Sequence, residues 1–150
     1  MRPHPIALLV LLMMCVLGCH DEKLHVKQIV EPEYPLAARV QNLEGTVSVT
    51  VSIGPDGKVI NAAGSGASYL LIKAATENAR QWLFGPFPPV CEFPITHNIQ
   101  YVYKLEGQPQ AVAITPVLRT FLPDKVEIRA APLGSDYPPI QEKTQVPGTK

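Results

Sequence analysis

The residue types able to do chemistry are few in this chain, and their spacing does not suit catalysis. Its thiol and imidazole groups are Cys15, Cys19, Cys91, His4, His20, His25 and His97. A zinc site draws on closely spaced sets of thiolates and imidazoles, and His20, His25 and His97 show no such spacing with Cys91, so no metal is expected. Gly64-Ser65-Gly66 is not a nucleophile elbow and reads as a flexible strand-to-helix connection with Ser68 as a cap. His97 lacks a partner carboxylate in sequence and reads as a strand surface residue. With no Gly-rich phosphate loop either, no catalytic residue and no cofactor are assigned, and the chain reads as a non-enzyme.

Cys19 is the exception, because of what precedes it. Arg2 and His4 lead into an apolar run from Ile6 to Leu17, the layout of a secretory signal over residues 1–18. As a helix that run would cover roughly 18 Å, short of the ~30 Å a bilayer core requires. Val16-Leu17-Gly18-Cys19 resembles the bacterial lipobox, which implies lipidation of Cys19 and a periplasmic, membrane-anchored lipoprotein. Ordinary cleavage with Cys19 as a plain thiol, and a retained anchor, are the competing readings. With Cys15 in the signal and Cys19 modified, Cys91 is expected to be the sole free thiol of the mature chain; such a thiol can pair between chains, and the expectation is that it is buried and inert.

The 150 residues carry 13 basic and 13 acidic side chains. That balance gives no general attraction to nucleic acid, anionic lipid or acidic substrates, so partners must be argued from shape and motif. Of the 16 prolines, ten follow residue 87, which predicts an irregular C-terminal third. The elements that must position any site come before it. A short helix is predicted from Pro35 to about Gln41. Val47, Val49, Val51 and Ile53 alternate with polar residues on a strand. Gly54-Pro55-Asp56-Gly57 then reverses the chain into a strand from Lys58 to about Ala63. Leu71, Ala75, Ala79 and Trp82 recur at helical spacing between Ser68 and Phe84, before Gly85-Pro86 stops the helix. Ile99, Tyr101, Tyr103 and Leu105 alternate on a third strand. The expected fold is α+β, an antiparallel sheet of about three strands with two helices on one face.

Tyr34-Pro35 with Ala37-Ala38, Glu44-Gly45, Asp56-Gly57-Lys58-Val59 and Trp82-Leu83-Phe84-Gly85-Pro86 follow one another in an order and spacing that resembles the TonB C-terminal domain family. The markers Tyr34, Pro35, Gly45, Asp56, Gly57, Trp82, Phe84 and Pro86 each also have a plain structural reading as core aromatics, turn residues or a helix stop. The expected organisation is therefore a signal (1–18), a short tether (19–31), the TonB-like domain (32–106), an extension (107–131) and a disordered tail (132–150).

The resemblance implies a periplasmic domain of the energy-transducer family, serving transmembrane transport by binding peptide segments of outer-membrane transporters at an open sheet edge. By analogy that edge is the third strand, with Asn98, Gln100, Val102 and Lys104 as the candidate peptide-binding residues. An ordinary amphipathic strand is the competing reading. A full transducer of the family has an inner-membrane helix and a long proline-rich spacer, which this chain does not show, so an envelope motor complex would have to supply force and reach. In the extension, Lys125-Val126-Glu127-Ile128-Arg129-Ala130 alternates and can form a further strand. Paired with Asn98–Leu105, it would occupy the proposed edge. A structural or assembly lipoprotein using the same fold for docking is the alternative function.

Overall fold

The computed structural model describes residues 24–66, 68–89 and 91–134. The signal, Cys19 and most of the proline-rich tail therefore lie outside the described residues. Among the described residues the fold is α+β, with two short helices, α1 (Leu36–Val40) and α2 (Tyr69–Ala79), and seven strands. Five strands form one mixed sheet: β2 (Gly45–Ile53), β3 (Val59–Gly66), β5 (Ile95–Leu105), β6 (Val117–Phe121) and β7 (Lys125–Ala130), in the order β3-β2-β5-β7-β6. The expected three-strand sheet is its first half. β1 (Val26–Gln28) and β4 (Leu83–Phe84) make a separate two-stranded ladder.

Alternation in β2 does what period-two patterning requires. Val47, Val49, Val51 and Ile53 are fully buried on one face, and Ile99, Tyr101 and Tyr103 of β5 join them. Leu71, Ala75 and Ala79 of α2 and Ala38 of α1 pack on that same side. The opposite face carries Ser48, Thr50, Asn98 and Gln100, and among the described residues no helix packs on it.

Three element boundaries depart from expectation. α2 ends at Ala79 rather than Phe84, because Trp82 and Phe84 are both 2% exposed with Leu83 turned away between them. That alternation suits a strand, and Leu83–Phe84 pairs with β1, residues read as tether. Ser68 stands at the helix start without a side-chain cap bond. β5 begins at Ile95, three residues before the predicted Asn98. Gly64-Ser65-Gly66 is the end of β3 rather than a flexible connection. A Cβ at Gly64 would lie 2.4 Å from Thr76 Oγ1 and 3.0 Å from Ile72 Cγ2, so glycine there lets α2 lie close on the strand.

Asn78, which no sequence pattern singled out, is a polar hub in the core. Its Nδ2 donates to the Val30 carbonyl (2.9 Å), and its Oδ1 accepts from Trp82 Nε1 (3.0 Å) and Tyr101 Oη (2.9 Å). Burial raises the Tyr101 phenol well above its ordinary range, which keeps it a neutral donor.

Cys91 lies in the connection before β5, half-buried and disulfide-bonded, which corrects the expectation of a buried free thiol. The proline-rich connection keeps it out of the core that would have shielded it. The chain's two other cysteines, Cys15 and Cys19, lie outside the described residues.

Gly57 combines both constraints that make glycine irreplaceable. Its φ is +82°, and a Cβ would lie 2.0 Å from the Phe84 carbonyl oxygen, while the Phe84 N–H donates to the Gly57 carbonyl at 2.8 Å. Gly57→Ala should cost about 2–4 kcal/mol, measured by urea unfolding followed through Trp82 fluorescence. An unchanged midpoint would show that the turn can reopen at no cost.

Candidate functional site

The sheet edges are where this fold can meet a partner, because backbone donors and acceptors there lack a neighbour. The Gln100 N–H donates to the Asp124 carbonyl and the Glu106 N–H to the Ala130 carbonyl, each at 2.8 Å. Since backbone groups alternate sides along a strand, the even-numbered residues of β5 face β7 and the odd-numbered ones face β2. Asn98, Gln100, Val102 and Lys104 thus share one flank. β7 runs parallel along it, with Gln100, Val102 and Lys104 in register with Lys125, Glu127 and Arg129.

Only Asn98 lies beyond that ladder. Its side chain faces the open side of the sheet, accepting from Ser48 Oγ (2.9 Å) and donating to Thr50 Oγ1 (3.3 Å). His97 is half-buried and faces the turn between β6 and β7, with Nε2 at 3.3 Å from the Pro123 carbonyl and 3.4 Å from Asp124 Oδ1. Folding supplies the carboxylate neighbour that the local sequence lacks.

β7 is part of the core. Val126 and Ile128 are fully buried, and Ala130 is 7% exposed. Uncovering Val126 and Ile128 alone would cost roughly 3–6 kcal/mol at about 1.5–3 kcal/mol per side chain, which would weaken docking on the β5 flank by roughly 10²–10⁴-fold. Arg39 of α1 ties the extension down further. Only 2% exposed, it donates through Nε to the Ala131 carbonyl (2.9 Å) and through Nη1 to the Ile114 carbonyl (3.1 Å). A lone arginine in an amphipathic helix reads as solvated, so this contact was not legible in advance.

The outermost strand, β6, was also missed. A signal existed in Leu122-Pro123-Asp124, a turn sequence placed before the alternating β7. β6 pairs antiparallel with β7, placing Val117, Arg119 and Phe121 opposite Arg129, Glu127 and Lys125. Their side chains share the open face. Glu127, 6% exposed, is held by Arg129 at Nε and Nη2, with Lys125 Nζ at 3.6 Å and Lys104 Nζ at 3.8 Å. Arg129 also reaches Glu106 through Nη1 at 2.8 Å. A cleft of about 340 Å³ opens at the start of β6, lined by Glu106, Gln110, Ile114, Val117, Arg119 and Arg129 among others. Among the described residues no group of three His, Cys, Asp or Glu side chains is placed to hold a metal ion.

The Arg129 hydrogen bond, together with the charges of Arg129, Lys104 and Lys125, holds the Glu127 carboxyl below its ordinary range. A depressed folded-state pKa gives stability that is complete above the unfolded value of about 4.3 and is lost as pH falls through the folded value. Glu127→Gln should therefore be less stable than the parent near neutral pH, and the two should converge in acid. Urea midpoints from about pH 7 down to about pH 3 test this, and parallel curves would mean the carboxylate contributes nothing.

No curated protein matches the chain. Its sequence does match the family described as Gram-negative bacterial TonB protein C-terminal over residues 30–105, just over half of the chain. That family comprises periplasmic, non-enzymatic energy-transducer domains acting through protein contacts in envelope transport. Among the described residues no helix is long and apolar enough to cross a membrane. The match spans the hairpin, α2 and β5, and with that fold and those markers the chain belongs to the TonB C-terminal domain family.

Proposed function

We propose that this protein is a non-catalytic periplasmic binding domain that engages extended segments of outer-membrane transporters by strand addition, in support of transmembrane transport. The observation that carries the reading is a sheet whose strands β2, β3 and β5 lie within the family match and whose outermost strand, β6, has an outer flank unpaired among the described residues. Backbone groups on such a flank give affinity, and alternate side chains give selection. An envelope motor complex would supply the force. Residues 20–150 used as bait in envelope extracts should recover outer-membrane transporters. Recovery of other envelope components alone would move the assignment to a structural or assembly lipoprotein. That second reading has its own support in the burial of Val126 and Ile128, which closes the β5 flank.

The membrane attachment proposed here is lipidation of Cys19, which rests on the Val16-Leu17-Gly18-Cys19 sequence. Several acyl chains would hold the protein firmly, where one alone binds only marginally. Cys19→Ala should release the protein from membranes on fractionation. A thioether at Cys19 consumes its sulfur and cleavage before it removes Cys15, so in the lipidated protein the Cys91 disulfide would have to be made between chains; a Cys19–Cys91 linked peptide in non-reducing mass spectrometry would overturn the anchor.

A further inference from the structure

We propose that the flank of β6 left unpaired among the described residues is the docking strand, and that its occupant is an extended partner segment that carries an acidic residue with apolar residues two positions before and after it, so that all three share one face. This rests on the strand-addition reading and assigns it an edge and a ligand chemistry.

The backbone geometry identifies the groups on offer. Asp124 and Ala130 turn their carbonyls toward β5, so by alternation Lys125, Glu127 and Arg129 face β6. Their partners Val117, Arg119 and Phe121 spend their backbone groups on β7. Leu118 and Thr120 therefore project N–H and C=O outward. An added strand would hydrogen-bond to these two residues and lay its side chains beside Val117, Arg119 and Phe121.

Those three side chains define what fits. Val117 and Phe121 are 61% and 56% exposed, which is costly surface to leave wet on an unpaired strand. Arg119 stands between them with no carboxylate in ion-pair range among the described residues, because Glu127 is engaged by Arg129, Lys104 and Lys125. On this face Lys104, Arg119, Lys125 and Arg129 outnumber Glu106 and Glu127 by two. A segment with a carboxylate opposite Arg119 and apolar side chains two positions to either side of it, opposite Val117 and Phe121, answers both features. The cleft beside Ile114 and Val117 can take one further side chain.

Other occupants and edges fit less well. A second copy paired antiparallel about Arg119 would set Arg119 against itself, and like charges directly opposite are destabilising. The chain's own residues 135–150 include Pro138, Pro139 and Pro147, which cannot donate to a ladder. At the far edge, β3 ends in Gly64, Ser65 and Gly66, and its Ala62 carbonyl already accepts from Arg80 Nη2 at 3.4 Å.

The test is fluorescence anisotropy with the full mature chain and two labelled peptides, one centred on valine-threonine-aspartate-threonine-valine and one with lysine in place of the aspartate. The aspartate peptide should bind about tenfold or more tightly than the other. Arg119→Glu should reverse that order, and Arg119→Ala should abolish the preference. Thr120→Pro removes an outward donor without costing a bond to β7 and should weaken both peptides about tenfold or more. Near-UV circular dichroism of each variant verifies the fold. Equal binding of the two peptides, or affinities untouched by Arg119→Glu and Thr120→Pro, would overturn the proposal. So would a dimer in sedimentation that Thr120→Pro dissolves. If the Thr120→Pro chain still recovers transporters while amide exchange at Val126–Ala130 accelerates, strand addition stands at β5 and this inference fails. If the unsubstituted chain recovers none, strand addition itself fails.

Discussion

A strand in the middle of a sheet needs hydrogen-bond partners on both flanks, and β5 meets that requirement with β7, a segment from some twenty residues further along the chain. Much of the architecture follows from this one pairing. Being parallel, it cannot be closed by a tight turn and needs a crossover. Residues 106–124 supply that crossover, and β6 lies within it. The ladder also brings Val126 and Ile128 beside Tyr101 and Tyr103, so the extension completes the core. Arg39, reaching the Ala131 and Ile114 carbonyls, then ties both the middle of the crossover and the chain leaving β7 to α1. The unpaired flank that a three-strand sheet would leave on β5 is thereby moved outward to β6.

Inside the core the aromatic side chains need their polar ends satisfied as well as their rings packed. Asn78 does this for Trp82 and Tyr101 while holding the entering backbone at Val30. Tyr34 donates to the Leu43 carbonyl at 2.7 Å and meets the Tyr103 ring edge-on at 5.1 Å. These contacts join α1, α2 and β5, so the family's aromatic markers act here as internal fixtures. None of them faces an edge that could touch a partner.

What was legible in the sequence was what depends on short-range periodicity and turn chemistry. β2, the Asp56-Gly57 reversal, the stripe of α2 and the alternation in β7 all appear in windows of a dozen residues or fewer. The remainder depends on distance. β1 is too short to show a pattern and exists because Leu83–Phe84 offers it a partner. Trp82 matched the helical stripe by spacing, yet it is buried in phase with Phe84 as extended chain. The candidate residues Asn98, Gln100, Val102 and Lys104 do share a flank, and period two suffices for that. Which neighbour covers the flank is a property of the whole chain.

The entry strand also bears on how far the domain can travel from an anchor. From Cys19 to Pro32 an extended chain could reach at most roughly 43–47 Å. β1 removes most of that reach, because Val26–Gln28 is bound to β4 and the Gly85 N–H donates to the His25 carbonyl at 2.9 Å. With a lipid anchor at Cys19, only about six residues would separate the membrane from the docked strand, or at most roughly 20–22 Å. A domain held that close to one membrane meets proteins of that membrane or segments that extend to it. Force crossing the envelope would therefore have to arrive through the partner, and the contact made here would be a grip more than a lever.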